Sequence, residues 1–268
     1  MAQFAEFILK QAQLLCIPTT AAHFIEVGCG PGGLTFELAK QCASTPTTAT
    51  TSTATASFVG IDHNADFIDT ARKLSLGERM TVRFPVEGDV NHTINITAPH
   101  VTTTSSTNGS TTAAEKLPVM SFRTADPMCL PAELRTFDIV VLHDVIDKIS
   151  TPNSLLGRLG GVRGLVRPGG LLVVSSAYQW KEECTPKELW LCTPKPINHT
   201  DTPTTVPTTT HTTNNTTSAS EAALIQRLQE EFELVHSDPA MLQLWPEGDN
   251  SSRQVRGTAY SVTYFQRK

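Results

Sequence analysis

Glu26, Gly28, Gly30, Gly32 and Gly33 lie close together in the run His23 to Gly33, and their types and spacing suit a ligand cradle. An apolar run precedes them, and Leu34 to Lys40 follows with helical spacing, so the local reading is strand, tight turn, helix. Glycines let the chain reverse through backbone angles closed to other residues, and they let a ligand approach bare peptide. Gly28, Gly30 and Gly33 also satisfy the Gly-x-Gly-x-x-Gly spacing that brings a pyrophosphate to a helix N-terminus. Glu26 discriminates between two chemistries: a carboxylate two residues before the first glycine repels a pyrophosphate but pairs with an ammonium group.

Further polar residues fall at strand ends. Phe58 to Asp62 reads as a second buried strand, and its terminal carboxylate can accept both hydroxyls of a ribose. The competing account is that Asp62 caps the next helix, a task Asn64 can also perform. Val119 to Arg123 is a third parallel strand closed by Thr124 to Pro127, where Asp126 either recognises an adenine edge or makes a plain turn before proline. Phe137 to Leu142 is nearly all apolar, as a strand buried on both faces should be, and it opens into His143 and Asp144. After Arg167-Pro168-Gly169-Gly170 turns into a fifth strand, Leu171 to Ser175, the stretch Ser176 to Leu191 interleaves Tyr178, Trp180 and Trp190 with charges. Aromatic and charged residues after a central strand suit a lid over a crevice, although the tryptophans can equally anchor the lid as core.

The elements that position these residues are read from periodicity. Met1 to Cys16 is an amphipathic helix with apolar residues at 4, 7, 8, 14 and 15; further helices are expected over Leu34–Cys42, Asp66–Leu76, Leu155–Val166 and Glu221–Glu230. Met80 to Gly88 begins a hairpin with a long tip, and Phe232–His236 with Thr258–Phe265 forms a final strand pair joined by Met241–Arg256. The expected fold is α/β, a mostly parallel sheet with a C-terminal antiparallel strand in a single domain spanning 1–268. Three Thr-rich insertions, at about 44–57, 91–114 and 194–218, have too little apolar content to fold alone.

Composition narrows the partners. The chain has 268 residues, 39% of them hydrophobic, which is enough for a sizeable core. A formal net charge of -5 and a pI near 5.9, without a Lys/Arg cluster, exclude a nucleic-acid partner. The N-terminal stretch lacks the pattern of a secretory signal and no run is long enough to span a bilayer, so no membrane role and a cytoplasmic location are expected. Six cysteines show neither Cys-x-x-Cys pairs nor histidines at zinc-ligand spacing, so no metal is expected and the thiols are read as free. The sequons at Asn91, Asn95, Asn108, Asn198, Asn215 and Asn250 are expected to stay unmodified.

Glu26-x-Gly28-x-Gly30-x-Gly32 resembles the first motif of the class I S-adenosylmethionine (SAM) methyltransferases, and the Arg167 to Gly170 turn before an apolar strand is a second feature common among them. The resemblance implies a Rossmann-like sandwich with SAM as methyl donor. Glu26 and the loop at Gly28, Cys29, Gly30 and Gly32 would hold its amino acid end, Asp62 and His63 its ribose, and Asp126 and Pro127 its adenine.

Ser175 to Leu191 resembles the Ser-Pro-Tyr-x-Trp-x-Glu-Glu-x-Thr-x-x-x-x-Trp-Leu segment of the methyltransferase of ovothiol biosynthesis, which methylates an imidazole nitrogen of 5-thiohistidine. Glu26–Leu38, Val59–Leu74, Val86-Glu87-Gly88 and Phe137–Ile149 support it, and Val145-Ile146-Asp147-Lys148 is similar to that family's Leu-Ile-Asp-Arg. The chain departs from the family at Asp144, where Asn is usual, at Ala177, where Pro is usual, and in the loose match of Met241–Lys268. The resemblance implies a small-molecule acceptor and a separate sulfoxide synthase as partner, because no synthase domain is present. Catalytic roles are expected of His143, Asp144 and Tyr178, and substrate contacts of Tyr178 and Trp180. Another amine or thiol acceptor, and a noncatalytic SAM-fold partner of a synthase, are the alternatives.

Overall fold

The computed structural model describes residues 1–44, 55–87, 90–98, 118–134, 136–192, 218–246 and 255–268. Seven strands form one sheet: β1 (His23–Val27), β2 (Ser57–Asp62), β5 (Val119–Thr124), β6 (Phe137–His143), β7 (Val166–Ser176), β8 (Phe232–Pro246) and β9 (Val255–Arg267). Their order is β5-β2-β1-β6-β7-β9-β8. Neighbours are parallel from β5 to β7, and β9 runs antiparallel between β7 and β8. The mostly parallel sheet with a C-terminal antiparallel strand agrees with the expectation.

The chain steps outward from β1 to β2 and β5, then returns to place β6 on the other side of β1. That reversal opens a crevice beyond the carboxyl ends of β1 and β6, where open α/β sheets bind ligands. Every residue of β6 is buried, which accounts for its unbroken apolar character.

Helices cover both faces. On one, α1 (Ala2–Leu14) and α2 (Gly33–Ser44) pack Phe4, Ile8, Leu34 and Leu38 onto Phe24, Ile139, Val141 and Val173. α3 (Ala65–Ser75) joins α2 through Phe36, Ile68, Ala71, Leu74 and Phe122. On the other, α4 (Pro152–Leu156) and α5 (Ala219–Leu228) cover Val27, Val140, Leu142, Leu172 and Val174. Burying each such Leu, Ile or Phe is worth about 1.5–3 kcal/mol, so the sheet is held mainly by these two layers. No helix among the described residues is long and apolar enough to cross a membrane.

Several boundaries differ from expectation. The inward face of α1 is Phe4, Ala5, Ile8, Leu9 and Ala12, while Phe7 and Leu14 are exposed. The helix expected over Leu155–Val166 survives only as α4, because glycines break the helical path beyond Leu156: Gly161 has φ 75°, and a Cβ on Gly164 would lie 2.4 Å from the Gly160 carbonyl oxygen. Arg167 to Gly170 is an excursion within β7, since the ladder jumps from Phe137↔Val166 to Ile139↔Leu171.

The hairpin pairs β3 (Met80–Glu87) with β4 (Val90–Ile96) as a separate two-stranded sheet. The second Thr-rich insertion therefore starts later than expected, as β-branched Thr93, Ile94 and Ile96 lie in a strand. The first insertion likewise gives up its ends: Ser44 closes α2, while Ala56 is buried and its N–H donates to the Thr20 carbonyl, 3.0 Å. Residues 45–54, 99–117 and 193–217, which hold most of the three insertions, lie outside the described residues. The final strand pair is longer than expected, taking in both ends of the segment read as a connection.

Candidate functional site

The glycine loop sits at the end of β1, pinned from below. The N–H groups of Gly28 and Cys29 both donate to the Ile61 carbonyl, at 2.8 and 2.9 Å. Gly28 (φ 79°) lies against the segment after β6: a Cβ there would stand 2.2 Å from Val145 Cγ2. Gly32 (φ 89°) is closed in by Phe36 and Phe122, each 2.9 Å from a hypothetical Cβ. Gly30 differs, for it has φ 52° and nothing within 4 Å of that position, so its backbone stands open to a ligand.

Asp62 ties the loop to the neighbouring strand. One carboxylate oxygen accepts from the Gly30 N–H and the other from the Asn64 N–H, both at 2.9 Å. Helix capping is done by Asn64, whose side chain accepts from the N–H groups of Asp66 and Phe67. The competing reading of Asp62 as a cap is thus removed, and its carboxylate stays at the strand end beside the loop. Exposed His63 places Nδ1 3.4 Å from Asp62. Asp126 is exposed and its carboxylate accepts from the Met128 N–H, 2.8 Å, so it makes a turn of its own, with Pro127 buried behind it.

Glu26 is held less openly than the spacing suggested. It shares the face of Phe24, beneath α2, and accepts a 2.5 Å hydrogen bond from the Thr35 hydroxyl. The space around it, lined by Phe24, Leu38, Val59 and Val141, is too small for a water. Burial pushes its carboxyl up to about 8, Asp62 adds to the rise, and the hydrogen bonds of Thr35 oppose it. Burial also pushes the Cys29 thiol up, reinforced by Glu26 and Asp62, so Cys29 packs as an inert neutral group with its Sγ 3.4 Å from the Gly30 carbonyl oxygen.

The residues expected on the acceptor side do not converge. His143 ends β6 on the α1 face, its ring 5.1 Å from that of Phe4 and 5.4 Å from that of Tyr260. Tyr178 and Trp180 pack on the opposite face. Asp144 and Tyr178 are both left-handed, with φ 55° and 48°, a conformation that is unusual for Asp and an outlier for a bulky Tyr. The Asp144 N–H donates to the Ser175 carbonyl at 2.7 Å, and its carboxylate is ion-paired with Lys148. Trp180 donates from Nε1 to the Ser220 hydroxyl, 2.9 Å, which anchors the lid to α5, and it stacks at 6.2 Å on Trp190, which donates to the Thr185 carbonyl within the lid at 2.8 Å.

Sequence reasoning missed three residues. Thr35, in the first turn of α2, is the partner of Glu26. Asp147 and Glu221 are each 1% exposed and flank Tyr178, whose phenol is pushed up by burial, then by Glu221 and Asp147. Asp147 falls in the Val145 to Lys148 motif without a role, and Glu221 carries no signal beyond opening the helix expected over Glu221–Glu230. Among the described residues no three His, Cys, Asp or Glu side chains converge as a metal site.

No protein-family model matches the chain, and no curated protein matches it. Solved structures resemble it in overall arrangement. A SAM-dependent methyltransferase from Methanosarcina mazei is 15% identical over 92% of each chain, with a TM-score of 0.45. The N-methyltransferase NodS from Bradyrhizobium japonicum, in complex with S-adenosyl-L-homocysteine (SAH), is 13% identical over 97% of this chain and 86% of its own, with a TM-score of 0.43. A SAM-dependent methyltransferase from Aquifex aeolicus is 12% identical over 98% of this chain and 88% of its own, with a TM-score of 0.47.

Proposed function

We propose that the protein is a SAM-dependent N-methyltransferase of a small imidazole metabolite, with 5-thiohistidine as the acceptor favoured by the resemblance of Ser175 to Leu191. The observation that carries the reading is the pairing of an open glycine backbone at Gly30 with two strand-end carboxylic acids, Glu26 and Asp62, at the point where the sheet order reverses. By charge, two acids here favour an ammonium group over a pyrophosphate, and Glu26 must part from Thr35 and open its enclosure to reach it.

Glu26 and the backbone at Gly28, Cys29, Gly30 and Gly32 would hold the amino acid end of SAM, Asp62 and His63 the ribose, and Asp126 with Pro127 the adenine side. The donor supplies an electrophilic methyl group on a sulfonium. The chain's tasks are then to hold the acceptor nitrogen in line behind that methyl and to keep it unprotonated. Tyr178, kept neutral by burial, serves as a hydrogen-bonding orienter rather than a phenolate base. Trp180 supports the ring side of the acceptor from the lid. Asp144 is the acid nearest the end of β6 able to take the departing ring proton once its pair with Lys148 opens.

Calorimetric titration with SAM and with NAD tests the cofactor assignment. Saturable binding of SAM with no heat from NAD supports it; binding of NAD, or of neither, overturns it.

A further inference from the structure

Between the end of β7 and the first turn of α5 lies a buried group of polar atoms that donor binding leaves unused. Asp147 and Glu221 are each 1% exposed, and each has one carboxyl oxygen, Oδ1 and Oε2, without a hydrogen-bond partner. The other oxygens are fixed: Asp147 accepts from the Gln179 N–H at 2.7 Å, and Glu221 from the Ser237 hydroxyl at 2.5 Å. The Tyr178 hydroxyl is buried without a partner, and its chain neighbours tie it to both acids' elements: the Gln179 N–H donates to Asp147, and Trp180 Nε1 to the Ser220 hydroxyl beside Glu221.

An independent residue points to the same place. Ser261 is 8% exposed, and its hydroxyl also lacks a partner. It pairs across the ladder with Ser176, so the two side chains share a face of the sheet. The Ser176 hydroxyl accepts from the Tyr178 N–H at 2.9 Å and hydrogen-bonds Asp147.

The lysines nearest in sequence to Asp147 and Tyr178 are paired with other acids: Lys148 with Asp144, Lys181 with Glu183 and Lys187 with Glu182. Burying carboxyl groups without pairing them is costly, and a set of acceptors left open in this way matches a donor-only cation. An ammonium group offers three N–H donors and no acceptor. Asp147 Oδ1, Glu221 Oε2 and the Tyr178 hydroxyl supply three acceptors.

We infer that Asp147, Glu221 and Tyr178, backed by Ser261, form a subsite for the ammonium group of the methyl acceptor, which makes the acceptor an amino-bearing metabolite. The inference rests on the methyltransferase reading, and it fixes the end of the substrate remote from the methylated nitrogen.

The test is calorimetry on SAH-loaded protein with 5-thiohistidine and with its deamino analogue, the corresponding thioimidazole propionate. Wild type is expected to bind 5-thiohistidine at least about tenfold more tightly than the analogue. Asp147→Asn and Glu221→Gln should each weaken 5-thiohistidine by about tenfold or more, and leave the analogue and SAH within about threefold. Ser261→Ala, at a residue with no role toward the ring, should show the same pattern with a smaller loss, so the reading does not depend on either buried acid tolerating replacement. Equal binding of the two compounds, or variants that bind 5-thiohistidine as wild type does, overturns this inference and leaves the methyltransferase reading standing. Binding of neither compound, with SAH affinity intact, overturns the subsite together with the acceptor assignment, and loss of SAH binding by the wild type overturns the methyltransferase reading itself.

Discussion

At Glu26, burial and hydrogen bonding pull in opposite directions, and burial wins: the carboxyl rises from 4.5 to about 8 despite its bond from Thr35. In the ligand-free protein at pH 7 this group therefore holds its proton, whereas the unfolded chain has already lost it. The native state binds more protons than the unfolded state between about pH 4.5 and 8, so the contribution of Glu26 to stability falls as pH rises through that window. Pairing with a ligand ammonium reverses the preference and ionises the group, so SAM binding at pH 7 should release roughly half to one proton. Titrations in buffers of different ionisation enthalpy measure that number, and Glu26→Gln should bring it close to zero. Identical heats in both buffers for the wild type would contradict the ammonium role of Glu26.

At the scale of elements, the loop depends on its contact with the segment after β6. Gly28→Ala adds a Cβ 2.2 Å from Val145 Cγ2 at φ 79°, whereas Gly33→Ala meets nothing within 4 Å. The first should cost about 2–4 kcal/mol, from left-handed strain plus overpacking, and the second less than about 1 kcal/mol in either direction. Urea denaturation of both variants checks the contrast, and equal midpoints would contradict the packing described for the loop. Much of this architecture was legible in the residues: the glycine loop, the all-apolar β6, and the acids closing β1 and β2. Composition misled where β-branched residues of a Thr-rich stretch entered β4, and helical spacing misled where glycines ended α4 early. The partners of Glu26 and Tyr178 were not legible, because Thr35 is local but unmarked by type, and Glu221 reaches Tyr178 only when α5 folds back onto the sheet.

Across the whole molecule, the sheet separates two sets of polar residues at its carboxyl edge. One face carries Glu26 and His143 beneath α1 and α2; the other carries Asp147, Tyr178 and Glu221 between the lid and α5. Glu26, with Asp62 and the glycine loop, belongs to the proposed donor site, His143 packs into the α1 layer against Phe4 and Tyr260, and the second set belongs to the proposed acceptor site. Catalysis by this arrangement requires the lid strand-end at Tyr178, held in its left-handed conformation, to bring the acceptor to the mouth of the crevice between β1 and β6. The most direct measurement is turnover of 5-thiohistidine with SAM, with histidine as control and product read by mass spectrometry. Formation of singly N-methylated thiohistidine, with none from histidine, is the predicted result; SAM binding without methylation of either compound would contradict the account of the acceptor.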